Sequence, residues 1–183
     1  MRYLLMCEGQ NEEVLLNLLL DAGALNFTRD DLIGRRPYPI RQLSNPIIRT
    51  ELKHYGCSVV VYRIGDKQKD ELVIPKELKN IVSKNQIFKY CTKPELEMLL
   101  ILNESLEQQY EKVKNEQSPK TFAKRNIVFN SKKYNQSGEF LMQYYGGERI
   151  TNLIANIKKY SKYKRHEKDE LYLSDLLKKK ISK

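Results

Sequence analysis

Acidic residues follow three apolar stretches of this sequence. Glu8 comes directly after RYLLMC, Asp66 and Asp70 come after CSVVVYRIG, and Glu95 and Glu97 come after QIFKYC. Ionised carboxylates are costly to bury and rarely lie beside a buried strand without a partner. Carboxylates gathered around one small volume repel each other unless a hard cation such as Mg²⁺ neutralises them. Such an ion can orient a phosphodiester and stabilise its charge during in-line attack, so the pattern favours metal-dependent phosphodiester chemistry.

Each acidic cluster also has a simpler explanation. Acids at the start of a helix are stabilised by the helix dipole without any ligand, and Glu12, near the start of the first predicted helix, fits that role as well as a ligand's role. Asp66 and Asp70 alternate with lysines and could form a solvated turn. The argument for a shared site is that three clusters occupy equivalent positions, and both explanations stay open at this point.

Helices and strands alternate in the first half of the chain. We predict strands at 2–7, 38–43, 57–64 and 86–91, and helices from Asn11 to Gly23, at 46–55, at 75–82 and from Pro94 onward. Asn11 and Asn45 are the predicted N-caps of the first two helices, and Gly56 is predicted to follow the end of the second. This alternation predicts an α/β fold with a mainly parallel sheet flanked by helices. The loops that follow parallel strands open at one edge of the sheet, so we expect the acidic clusters to meet there.

The second half of the chain has a different composition. We predict an α/β domain over 1–105 and a basic, helical extension over 106–183 that packs on the same domain, and we identify no strand in the extension. Residues 155–183 carry ten lysines and arginines but only four acids, within a chain of 183 residues and net charge +10. This excess suits a polyanion, with nucleic acid as the first candidate and an anionic membrane surface as the second, although solubility alone could explain it.

Several classes of protein are disfavoured by the sequence. The three cysteines, Cys7, Cys57 and Cys91, show no C-x-x-C spacing, which argues against a zinc site or a disulfide framework and favours small buried thiols. No apolar run reaches the roughly 18 residues of a membrane span. The first residues lack the pattern of a signal peptide, so we expect a cytoplasmic protein without membrane partners.

Two basic groups are candidates for contacting phosphates. Arg35, Arg36 and Arg41 surround a loop, and arginine forks match phosphate geometry. The second group lies in the tail and consists of Lys158, Lys159, Lys164 and Arg165, with tyrosines between them. Its tyrosines, Tyr160 and Tyr163, could stack on unpaired bases or pack on the core, and the arginine loop could equally be a solvated surface.

Three short motifs in order carry a family resemblance. The segments LLMCEGQNEE, VVVYRIGD and KPELEMLL resemble the Toprim fold, especially the compact Toprim proteins related to OLD-type nucleases. In that family an apolar strand ends in Glu-Gly, a later strand ends in an Asp motif, and a further Glu begins a helix. The resemblance covers about residues 1–105.

The resemblance assigns roles to four acids. Glu8 matches the first family glutamate, which serves in metal binding or acid–base catalysis, and Asp66 matches the first aspartate of Asp-x-Asp. The second aspartate position holds Gln68, and the next acid is Asp70. Glu97 best matches the later acid, and because Glu95 would lie about 200° from it on a helix, we expect only one of the two to face the site. The resemblance thus implies Glu8 and Asp66 as catalytic residues, with Glu8, Asp66, Asp70 and Glu97 as ligands of Mg²⁺ or Mn²⁺.

The resemblance implies a metal-dependent nuclease acting on DNA or RNA, with antiviral defence as a context. OLD-type relatives often work beside an ATPase, and since this chain has no G-x-x-x-x-G-K-[ST] loop, any ATPase would be a separate polypeptide. Gln68 keeps a second interpretation open, a non-catalytic subunit that binds nucleic acid or a partner protein. A third is a nucleotidyl-transfer or signalling role. The oligomeric state is not predicted.

Overall fold

The computed structural model describes residues 2–65, 71–92, 95–161 and 171–179. The strands are β1 (Arg2–Cys7), β2 (Val59–Gly65), β3 (Ile87–Cys91), β4 (Val128–Phe129), β5 (Lys132–Lys133) and β6 (Leu171–Tyr172). The α-helices are α1 (Gln10–Asp21), α2 (Pro46–Tyr55), α3 (Leu96–Asn103), α4 (Glu107–Val113), α5 (Pro119–Asn126), α6 (Gly138–Tyr145) and α7 (Ile150–Ser161). Strands β1, β2, β3 and β6 form a parallel sheet in that spatial order, whereas β4 and β5 form a separate antiparallel pair. The predicted α/β class with a parallel sheet is therefore confirmed.

Both faces of the sheet are covered, because the strands are apolar on both sides. Leu4 and Met6 of β1 belong to one core with α2, whereas Leu5 and Cys7 belong to a second core. Alternate side chains of a strand point to opposite faces, so each strand contributes to both cores. The second core takes in residues from α1, α3, α5, α6 and α7, so helices from the second half of the chain cover the same sheet face as α1.

Helix ends follow local signals, with one correction. Asn45 caps α2 by accepting a hydrogen bond from the backbone N–H of Ile47 at 2.9 Å, and Gly56 ends it in the left-handed conformation, as predicted. The predicted cap at Asn11 was wrong, because Gly9 is the N-cap of α1. The Asn11 amide instead donates to the backbone oxygen of Gln136 at 3.2 Å.

Two predicted elements in the first half are shorter in the structure. The strand expected at 38–43 is reduced to one parallel bridge between Tyr38 and Met6. The next backbone donor toward β1 would be the N–H of Ile40, but it donates instead to Tyr38 O at 2.8 Å, so the chain turns at Pro39 and the ladder ends. The helix expected at 75–82 is a single 3₁₀ turn at Lys76–Leu78.

The expectation of no strand in the second half was wrong, because β6 adds to the sheet beside β3. The residues after β6 then run along the loop that follows α1. Leu25 and Leu177 form an antiparallel bridge, and the backbone N–H of Lys178 donates to Ala24 O at 2.8 Å. The domain boundary at residue 105 stays a prediction. No helix in the described ranges is long and apolar enough to cross a membrane.

Candidate active site

The Glu8 side chain lies across the end of the neighbouring strand. Cys7 pairs with Ile64 in the parallel register of β1 and β2, which places Glu8 beside Gly65. A Cβ atom at Gly65 would lie only 2.6 Å from Glu8 Oε1, closer than real contacts allow. Glycine at this position therefore leaves the space that the Glu8 carboxylate occupies. Asp66 follows Gly65 directly in the chain and, like Asp70, lies outside the described residues.

One of the three loop arginines reaches this edge. The Arg41 Nε donates to the backbone oxygen of Glu8 at 3.4 Å. Arg35 instead pairs with Asp30 at 2.7 Å, with both side chains largely exposed. Arg36 lies over the ring of Tyr38, 5.0 Å from its centroid. Only Arg41 is thus shown beside a predicted site residue.

Glu12 and Glu97 lie close to a buried tyrosine. The Tyr134 hydroxyl donates to Glu97 Oε1 at 3.1 Å, and the Tyr134 residue is only 2% exposed. Burial raises the pKa of Tyr134 well above its usual value, and the negative charges of Glu97 and Glu12 raise it further. The phenol therefore stays protonated and donates a hydrogen bond to the Glu97 carboxylate.

Both glutamates at the start of α3 line one cavity. The cavity has a volume of about 510 Å³ and is lined by Asn11, Glu12, Glu95, Leu96, Glu97, Ser118, Lys120 and Gln136. The predicted separation of 200° holds only inside a helix. Glu95 is the N-cap residue of α3 and has a non-helical conformation, with φ −46° and ψ 138°, so the helical spacing of 200° does not apply to its side chain.

Three glutamates act on the buried thiol at the end of β1. Burial raises the pKa of the Cys7 thiol far above its usual value, and the nearby charges of Glu12, Glu13 and Glu8 contribute to the increase. Cys7 and Cys91 are buried, as expected, but Cys57 is exposed. The Cys7 thiol at the end of β1 is therefore protonated and is not a nucleophile.

The donor chemistry of the edge fits a hard cation, because carboxylate oxygens are the ligands that Mg²⁺ prefers. Within the described ranges, however, no three acidic, cysteine or histidine side chains are close enough to hold a metal ion. Of the four predicted ligands, Glu8 and Glu97 are described and Asp66 and Asp70 are not. A complete ligand set at this edge would need at least one of these aspartates.

The basic tail is described only in part. Lys158 and Lys159 lie in the last turn of α7, and Lys159 Nζ is 3.1 Å from Glu107 Oε1. Tyr160 is partly buried, and burial raises its pKa to about 12, as expected for a ring packed against the protein. Lys164, Arg165 and Tyr163 lie outside the described residues.

Sequence reasoning missed three residues of this region. Gly65 could have been found, since a glycine directly before a candidate catalytic aspartate often marks a close approach of other groups. Tyr134 and Lys120 carry no signal in the sequence, because only the packing of α5 and of the segment after β5 brings them to this edge. Comparisons with protein-family models, with curated proteins and with solved structures gave no match.

Proposed function

We propose that this protein is a Toprim-like, Mg²⁺- or Mn²⁺-dependent nuclease. The observation that carries the proposal is the position of Glu8, whose carboxylate lies against Gly65 at the end of the adjacent parallel strand. Glu8, the first candidate catalytic acid, therefore lies next to Gly65. Asp66, the second candidate, is the next residue in the chain. Motifs far apart in the sequence therefore lie together at the edge where parallel sheets build their sites.

The proposed roles follow from charge and position. Glu8 and Asp66 would hold the metal ion, with Asp70 and Glu97 as further ligands. The ion would orient a phosphodiester and stabilise its developing charge. Arg41 lies beside Glu8 and is the arginine best placed to contact a phosphate at this edge. The other basic candidates would hold the rest of a DNA or RNA chain by its phosphates.

A second function is a non-catalytic module that binds nucleic acid within a larger complex. One observation favours it: Gln68 stands where the family pattern has its second aspartate. In this function the basic residues keep their role, whereas the acidic edge has no metal to bind. A separate ATPase subunit would be a component of such a complex.

The two functions are separated by Asp66→Asn, which removes one charge and keeps the shape of the side chain. For a nuclease, cleavage of a mixed set of DNA and RNA substrates in Mn²⁺ should fall by at least about 100-fold, since the ion supplies several kcal/mol of charge stabilisation. Binding of nucleic acid without metal should be kept or should tighten. Asp21→Asn, at an exposed acid paired with Arg29, is the matched control and should cleave as the wild type does.

The contrary result is equally clear. A wild-type protein that cleaves none of these substrates in Mg²⁺ or Mn²⁺, together with an Asp66→Asn variant that binds them equally well, would reject the nuclease. The binding module would then be the supported function.

A further inference from the structure

We propose that Tyr134 is a positioning residue that holds the Glu97 carboxylate toward the acidic edge of the sheet. The inference rests on the proposed metal-dependent function. It adds a residue from the second half of the chain, outside the segment that carries the family resemblance.

The Tyr134 hydroxyl is held in place from several sides. The backbone N–H of Tyr134 donates to Ile127 O at 3.0 Å, which fixes the residue beside the end of α5. Its ring packs edge-on against Phe140, with centroids 5.3 Å apart. A buried aromatic ring with these contacts has little rotational freedom, so the hydroxyl presents a donor at a defined point.

Glu97 benefits from such a donor because it lies in the first turn of a helix and lines an open cavity. Tyr134 donates to Oε1 of Glu97, and Glu97 and Glu12 line the same cavity. Partners that hydrogen-bond a ligating carboxylate orient it, and their removal usually weakens metal binding.

The segment that carries Tyr134 also contacts α1. The Asn11 amide donates to Gln136 O at 3.2 Å. Asn11 directly precedes Glu12 in the chain, and Gln136 is two residues after Tyr134. Gly138 approaches α1 closely, since a Cβ there would lie 2.9 Å from a methyl carbon of Val14. Residues 134–138 thus connect the first turn of α1 with the first turn of α3, the two places that supply Glu12 and Glu97.

The test is a Mn²⁺ titration, by calorimetry or by the paramagnetic resonance of free Mn²⁺, on the full chain. Tyr134→Phe keeps the ring and removes the hydroxyl, and we expect Mn²⁺ affinity to fall about 10-fold. Tyr145→Phe is the matched control: its buried hydroxyl has no hydrogen-bond partner among the described residues, so its removal should leave Mn²⁺ affinity unchanged.

A double-mutant cycle shows whether Tyr134 acts through Glu97. In a Glu97→Gln background, Tyr134→Phe should cause no further loss of Mn²⁺ affinity, because the carboxylate that it orients is gone. An equal loss in both backgrounds would show a merely structural role and overturn the inference. Should Tyr134→Phe fail to fold, Glu97→Asp withdraws the carboxylate from Tyr134 and keeps its charge. Wild-type affinity in Glu97→Asp would then overturn the inference.

The failure of this inference differs from the failure of the proposed function. A wild-type protein that binds no Mn²⁺ at millimolar concentration contradicts the metal-dependent function and the role of Tyr134 together. A wild-type protein that binds Mn²⁺, with an equal affinity in Tyr134→Phe, contradicts the role of Tyr134 alone.

Discussion

At the scale of single residues, Glu8 and Gly65 depend on each other. The glutamate reaches over the end of β2 because position 65 has no Cβ, and the conformation of Gly65 does not require glycine, since its φ is not positive. Space is therefore the reason for glycine here. A methyl group at this position would push away a flexible side chain and leave the backbone where it is.

This coupling predicts the effect of Gly65→Ala. Unfolding in urea should show a stability change below about 1 kcal/mol, because the displaced atoms belong to a flexible side chain. Mn²⁺ affinity should nevertheless fall about 10-fold, because the Glu8 carboxylate is displaced from the edge. In a Glu8→Gln background the same substitution should have no further effect on Mn²⁺ affinity. Unchanged affinity in Gly65→Ala alone would show that Glu8, as placed here, does not bind metal.

At the scale of elements, the segment from β6 onward is part of both the sheet and the core. Strand β6 extends the sheet, and the residues after it pair with the loop that follows α1. Leu176 is 1% exposed and belongs to the same core as Leu5 and Leu16. A deletion of residues 155–183 would remove this part of the core, so it cannot serve as a test of nucleic-acid binding.

The burial of the segment from β6 onward predicts that a single substitution there strongly lowers the stability of the protein. Leu176→Ala should lower the free energy of unfolding by about 2–5 kcal/mol, the usual range for a fully buried leucine. Val128→Ala, at a valine that is 51% exposed, is the control and should change it by less than about 0.5 kcal/mol. Urea denaturation of the two variants measures both values. A small effect of Leu176→Ala would mean that the C-terminal segment is not part of the folded core in solution.

At the scale of the whole molecule, the effect of the net charge of +10 on nucleic-acid binding must be distinguished from the effect of charges on one surface. Replacing Lys158, Lys159, Lys164 and Arg165 by glutamine removes four charges without deleting the core residues of α7. If these four residues bind phosphates, the slope of log affinity against log salt should decrease by roughly 3, since each contact releases a little less than one counterion. Fluorescence anisotropy with a labelled oligonucleotide at several salt concentrations measures the slope.

The control for this prediction removes the same charge elsewhere. Lys53, Lys76, Lys79 and Lys84 are exposed and lie in α2 and in the turns between β2 and β3. Their replacement by glutamine should leave the salt slope nearly unchanged. Equal decreases in both quadruple variants would show that overall charge, and no particular surface, governs binding.

Local signals explain why some elements could be predicted and others not. Strands β1, β2 and β3 are largely apolar, and α2 has a cap, a proline and a terminal glycine at their expected positions, so neighbouring residues suffice. The run at 38–43 has the composition of a strand, but the chain turns at Pro39, where the Ile40 N–H donates back to Tyr38 O. Strand β6 has only two residues, and its pairing with β3 depends on a partner about 80 residues away.

The sequence by itself determined the α/β class, the edge where Glu8 lies and the order of the acidic motifs, because burial, strand period and helix caps act over a few residues. Only the tertiary structure decided that Glu95 and Glu97 share a cavity, that Glu8 fills the space at Gly65, and that Tyr134 donates to Glu97. The last two of these contacts join segments that are tens of residues apart. Their geometry depends on how helices pack against the sheet, which no local pattern of residue types encodes.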